Sequence, residues 1–158
     1  MAELTGILSP GDIDTVFSRT AIQVGTRIKD TRGNEYIFMR GVASTIKGSW
    51  VTYDELYDTT LLAANLKGPV AVAMAAIVAN RWGWYCIFGS VLAAMALSSA
   101  DNAIVGYETT SGYAGDGRAA GDLIYRAISR SAEEGTAAQA QYNFQIWYPF
   151  VDDLEAAH

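Results

Sequence analysis

The chain has one cysteine, Cys86, and one histidine, His158, its last residue. A lone cysteine excludes an internal disulfide, so the fold suits a reducing compartment. Cys86 lies between Tyr85 and Ile87 in the most apolar part of the chain. A thiol there reads as buried and inert, because reactive thiols need an accessible, electropositive site. With the sole histidine at position 158, no imidazole is well placed to activate a nucleophile or hold a metal. Charge is also scarce. Charged residues make up 18% of the chain and hydrophobic ones 51%, a balance that argues against wholesale disorder. Positive charge is the rarer sign: 11 Lys and Arg stand against 17 Asp and Glu, for a net charge of −6. Nucleic-acid binding needs a basic stripe to displace phosphate counterions, so no nucleic-acid partner is expected. The opening residues, MAELTGILSPGD, contain Glu3 and no long apolar run, which does not fit a signal peptide.

One stretch lacks even the scattered charges of the rest of the chain. Between Gly68 and Ala100 the only charge is Arg81. So apolar a segment belongs in a core, a subunit interface or a membrane. A spanning helix needs about 20 consecutive apolar residues. Asn80 and Arg81 cut the stretch in two, and residues 70–79 are too few. Residues 82–100 contain Gly83, Gly89, Ser90, Ser98 and Ser99, and no Lys/Arg cluster flanks them. Soluble core and subunit interface is therefore the expected fate, with no membrane partner.

The periodicity favours strands. Trp82, Trp84, Cys86 and Phe88 share one strand face, and Gly83, Tyr85, Ile87 and Gly89 the other. Large side chains on both faces indicate a strand buried on both sides, or one facing a partner subunit. Val70, Val72 and Met74 alternate with alanines, which suits a tightly curved sheet. The Ala-rich runs 71–79 and 93–100 also fit short helices, and periodicity does not separate the two in runs so short.

Around this stretch the chain reads as short strands and turns. Ser9-Pro10-Gly11-Asp12 is a helix-start pattern, followed by Ile13, Val16 and Phe17 on one helical face. Residues 21–29 alternate as a half-buried strand and 35–40 return from a turn at 30–34, making a hairpin. Residues 50–53, 59–64 and 103–110 are further strands. Residues 123–131 and 140–148 alternate about a turn at Glu133-Glu134-Gly135, with Pro149 expected to end the second strand. The expected fold is mainly β: a small antiparallel barrel or sandwich, with an N-terminal arm carrying at most a short helix. The arm is residues 1–20, the single β-rich domain 21–152 and a loose tail 153–158.

Chemistry is hard to find. Gly115 to Ala120 fits G-x-G-x-x-A, but a four-residue gap separates it from the preceding strand and a strand pattern follows it. A dinucleotide site needs that motif between a strand and a helix, so a glycine-rich loop is the better reading. The acids Asp54, Glu55 and Asp58, and Asp152, Asp153 and Glu155, lack the alternate spacing and glycine of a calcium loop. They read as solvated faces. No catalytic residue, cofactor or metal site is assigned, and no enzyme activity is expected.

Lys67-Gly68-Pro69-Val70, Gly83-Trp84-Tyr85 with Ile87 and Gly89, Gly121-Asp122-Leu123 with Ala127-Ile128-Ser129, and Tyr148-Pro149-Phe150-Val151 form a set. Together they resemble the capsid decoration, or cement, proteins of tailed bacteriophages. The resemblance spans roughly residues 65–152. It implies a β-rich domain, often a homotrimer, made in the host cytoplasm and seated on the exterior of the phage head. It implies the major capsid protein as partner and no catalytic residues. Aromatic side chains anchor interfaces, so Trp50, Trp82, Trp84, Trp147 and Tyr148 are candidate interface residues, though each also fits a core. Leu4, Ile7, Leu8, Ile13 and Phe17 are candidates on the arm for contact with a capsid subunit. The alternative is a small-molecule or glycan-binding β-barrel with tryptophans lining a pocket.

Overall fold

The computed structural model describes residues 13–20, 22–96, 100–107, 110–115, 123–130 and 141–152. Among them there is no helix, and ten strands form one antiparallel sheet that is not closed into a barrel. The strands are β1 (Arg27–Lys29), β2 (Glu35–Arg40), β3 (Trp50–Tyr53), β4 (Thr59–Leu61), β5 (Gly68–Ala73), β6 (Trp82–Ala94), β7 (Ile104–Tyr107), β8 (Ala114–Gly115), β9 (Leu123–Ser129) and β10 (Gln141–Val151). The mainly β, sandwich-like reading holds.

The apolar stretch supplies the centre of the sheet. β6 is 13 residues long and changes partners half-way. Its first half pairs with β2, from Arg40↔Trp82 to Glu35↔Phe88, and with β5 at Val72↔Cys86. Its second half pairs with β10, from Trp147↔Phe88 to Gln141↔Ala94. Gly89 sits at the change with φ +110°, a conformation open to glycine and strained for L side chains. β5 also pairs with the end of β10, at Pro69↔Phe150, and with β3. β9 pairs with β10 and β7, extending the sheet on that side.

Because β2, β3, β5 and the first half of β6 are covered on both faces, large residues alternate to opposite sides. Phe38, Trp50, Val72, Trp84 and Cys86 enter the main core, with Phe144 and Ile146 from β10. Ile37, Met39, Val51, Tyr85 and Ile87 enter a smaller core on the other face. Residues 74–81 lie over this second face, inserting Ala75 and Ile77. The alanines of β5 leave space for that cover. So do Gly41 and Gly83: a Cβ on Gly41 would stand 1.9 Å from the Ile77 carbonyl oxygen. No helix among the described residues is long and apolar enough to cross a membrane.

Several local expectations are corrected. Of the expected strand 21–29, residues 22–29 are described and only Arg27–Lys29 of these is strand, since Gly25 at φ +86° turns the chain just before it. Residues 59–64 shorten to Thr59–Leu61. Both Ala-rich runs begin as the ends of strands, β5 and β6, and the first continues as irregular chain. Pro149 does not end its strand. β10 runs on to Val151, and the register against β9 shifts between Ile146 and Phe150, so the proline that lacks an N–H sits at an irregularity. Residues 13–20 hold no helix. Phe17 instead exchanges backbone hydrogen bonds with Trp82, at 2.8 and 3.0 Å, and sets its ring edge-on to Phe38. This part of the expected arm packs on the domain. Residues 9–12, the turn at 133–135, and residues 116–120 of the glycine motif lie outside the described residues, as does 153–158.

Candidate interaction surface

The irregularity in β10 generates the most distinctive surface. Up to Trp147 the strand alternates regularly: Phe144 and Ile146 are buried, Asn143 and Gln145 exposed. Tyr148 has φ +52°, which breaks the alternation. Its side chain turns outward and is 43% exposed. Its hydroxyl donates to Glu35 Oε2 at 2.6 Å, and Arg27 stands 3.7 Å from the other oxygen of the same carboxylate. The hydrogen bond to Glu35 raises the Tyr148 phenol above its ordinary value, because ionising it would set two negative charges together. The Tyr148 ring lies 5.3 Å from that of Phe88. Two residues on, Phe150 stacks on Tyr125 at 5.0 Å, and the Arg126 guanidinium lies over the Phe150 ring, 5.8 Å from its centroid.

Beside this aromatic ridge runs an open trough of about 530 Å³ between Arg27, Tyr53, Pro69, Tyr148 and Phe150. A second hollow of about 630 Å³ shares Arg27, Tyr53, Gly68 and Pro69 with it and reaches Glu55, Tyr57 and Lys67. Tyr53 and Tyr57 stack at 6.4 Å. Burial raises the Tyr53 phenol, and the Arg27 charge partly opposes that. Such a trough offers flat aromatic and proline surfaces with Arg27 in its lining. It can grip an extended, partly apolar segment. Its one firm carboxylate–phenol contact holds Tyr148 in place rather than freeing a base.

Elsewhere the polar groups have structural work. Asp54 Oδ1 accepts from the N–H groups of Leu56 and Asp58, which closes its own turn. Asp58 stands 3.8 Å from Arg40. Among the described residues no group of three potential ligands could hold a metal ion. Cys86 is fully buried. Burial pushes its thiol up to about 12, and the thiol donates to the Phe88 carbonyl at 3.4 Å. Gly115, the first residue of the G-x-G-x-x-A match, is a strand residue of β8.

The structure sorts the candidate interface residues. Trp50 and Trp84 are core, at 0% and 2% exposure, and this corrects their reading as surface anchors. Both point to the inner face of their strands. Trp50 donates its indole N–H to the Ala94 carbonyl at 3.0 Å and meets the Phe144 ring edge-on at 5.0 Å. Ile13, Phe17 and Trp82 are half-buried against the same core. Trp147 is half-buried and Tyr148 exposed. Leu4, Ile7 and Leu8 lie outside the described residues. Sequence reasoning missed Phe88, Tyr125 and Phe150. Strand alternation assigns each to a face but does not say which face is covered.

Searches against family models, curated proteins and solved structures return no match to this chain.

Proposed function

We propose that this chain is a structural virion protein that binds the outer surface of an assembled phage capsid as a homo-oligomer and stabilises it without chemistry. The resemblance over residues 65–152 motivates the reading and implies a trimer on the head exterior, with the major capsid protein as partner. The observation that carries it physically is the exposed aromatic ridge and trough around Tyr148 and Phe150. Exposed aromatics in a shallow, open concavity suit a protein segment, since hot spots of protein interfaces are enriched in such residues. The mechanism is linkage. A protein that binds only the assembled lattice stabilises it by mass action, and several docked copies joined in one oligomer bind at high effective concentration.

Co-sedimentation with purified phage heads tests this, followed by heating of the decorated heads. Binding should raise the temperature at which heads release DNA, and Tyr148→Ala should reduce binding. Full-length protein that never sediments with heads ends the proposal. The second reading is a glycan- or small-molecule-binding module. The trough supports it, because stacked tyrosines beside an arginine also suit a sugar ring bearing a carboxylate. The tryptophan-lined pocket expected for that reading has lost Trp50 and Trp84 to the core. Saturable glycan binding lost in Tyr53→Ala, without head binding, would select it.

A further inference from the structure

β1 is an end strand of the sheet: among the described residues it pairs with β2 and with no other strand. The Phe38 N–H donates to the Thr26 carbonyl at 2.9 Å, and the Asp30 N–H to the Asn34 carbonyl at 3.0 Å. Bonded positions alternate along an antiparallel pair, so Thr26, Ile28 and Asp30 turn their backbone groups toward β2. Arg27 and Lys29 turn theirs away, and among the described residues their N–H and C=O groups have no hydrogen-bond partner. The sheet curls here. The β3–β4 hairpin reaches β2, where the Arg40 N–H donates to the Tyr57 carbonyl at 3.1 Å, and a Cβ on Gly25 would stand 2.5 Å from the Tyr57 ring. Yet β1 and the hairpin do not pair. Between Arg27 on one side and Tyr53, Glu55 and Tyr57 on the other lies the hollow of about 630 Å³.

We propose that this seam takes an extended segment of another protein, which adds to β1 as a further strand and sets an acidic residue opposite Lys29. Unpaired N–H and C=O groups at two-residue spacing are matched by another extended backbone. In an antiparallel addition, the guest residues opposite Arg27 and Lys29 satisfy all of these groups and project to the same face as the two side chains. Arg27 already has the Glu35 carboxylate at 3.7 Å. Lys29 is exposed and has no ion pair among the described residues. A carboxylate on the guest supplies that pair. Two residues away, an apolar side chain opposite Arg27 faces the hollow that Tyr53 and Tyr57 line. The same cations exclude β1 of a second copy as the guest, because like charges directly opposite each other repel. The inference deepens the proposed function and rests on its reading of this region as a site for a protein segment, and its test uses no capsid.

Amide NMR of the labelled full-length chain, titrated with a capped hexapeptide of alternating valine and glutamate, is the experiment. The expected result is saturable shifts centred on the Arg27 and Lys29 amides. A hexapeptide of alternating valine and lysine should bind roughly fivefold more weakly. Lys29→Pro removes an N–H that bonds nothing in the fold, so it should melt close to the parent yet bind the glutamate peptide roughly tenfold more weakly or not at all. Circular dichroism melting verifies folding. If Lys29→Pro does not fold, Lys29→Glu serves, and it should reverse the preference between the two peptides. Glutamate peptide that leaves the Arg27 and Lys29 amides unshifted up to its solubility limit overturns the inference, even where it shifts the tyrosines of the hollow. So does equal binding of both peptides, or a folded Lys29→Pro that binds like the parent. Head binding by a chain that takes no peptide at β1 overturns the strand site and leaves the capsid reading standing. Peptide binding at β1 by a chain that never sediments with heads does the reverse.

Discussion

Asp30 shows how single residues hold this sheet. Its carboxylate accepts from the N–H groups of Arg32 and Asn34, at 2.8 and 2.9 Å, and from the Asn34 amide and Tyr36 hydroxyl. Burial raises its pKa, but these bonds together lower it below the ordinary value of 3.8. A group depressed in the folded state adds stability above its unfolded pKa, and that contribution fades as pH falls through the folded pKa. Asp30→Asn should therefore melt lower than the parent at neutral pH, with the gap closing in strongly acidic buffer. A gap that is independent of pH would mean that the charge is irrelevant. Gly89 is the stricter position. Besides its positive φ, a Cβ there would stand 2.0 Å from Asn34 Oδ1, the atom that accepts the Ser90 N–H at 3.0 Å. Gly89→Ala should cost roughly 2–3 kcal/mol in urea unfolding. Tyr85 makes the opposite case. Its hydroxyl is buried without a well-formed hydrogen bond, although the neighbouring Thr59 hydroxyl, itself 2.7 Å from the Arg40 carbonyl, works against the rise that burial imposes on the phenol. Removing an unsatisfied buried hydroxyl costs little, so Tyr85→Phe should unfold within about 1 kcal/mol of the parent. A larger loss would reveal a bond to Thr59.

At the scale of elements, β6 is the axis. It pairs with β2, β5 and β10 and lies between both cores along its first half. Backbone amides in such a strand open only with the whole molecule. Hydrogen exchange should be slowest around Tyr85 and Cys86 and faster in β1 and β4, three-residue strands at the rim. Equal protection everywhere would refute a central β6. The 74–81 cover is the other deciding element. Ile77 is fully buried beneath it and touches the space left by Gly41 and Gly83. Ile77→Ala should cost about 2–5 kcal/mol through lost transfer energy and the cavity left behind.

For the whole molecule, the expected arm is tied to the domain at Phe17. Phe17 belongs to the sheet through its bonds to Trp82 and its ring contact with Phe38. Deleting residues 2–18 should therefore lower the melting temperature as well as any capsid binding. Deleting residues 2–12 keeps Phe17 and should leave the melting temperature nearly unchanged. If head binding then falls, Leu4, Ile7 and Leu8 supply it. If heads bind equally well, the contact lies on the domain, with the Tyr148 ridge first in line.

By itself the sequence determined the class of fold and most strand cores. Period-two alternation is local, and it predicted β2, β3, β9 and the bulk of β10 to within a residue or two. It also marked residues 82–88 as covered on both faces, because a strand with water on one side does not carry Trp and Tyr on alternate sides. Only the tertiary structure decided which aromatics are core and which are surface. Trp50 and Trp84 read like Trp147 and Tyr148 along the chain, yet the first two meet Phe144 and Phe38 from distant strands while Tyr148 turns outward at a positive φ. The same holds for Pro149, where pairing with β5 and β9 carries the strand past a residue that locally ends one. Alternation assigns a side chain to a face. What covers that face is set by strands many residues away, and their arrival leaves no local trace.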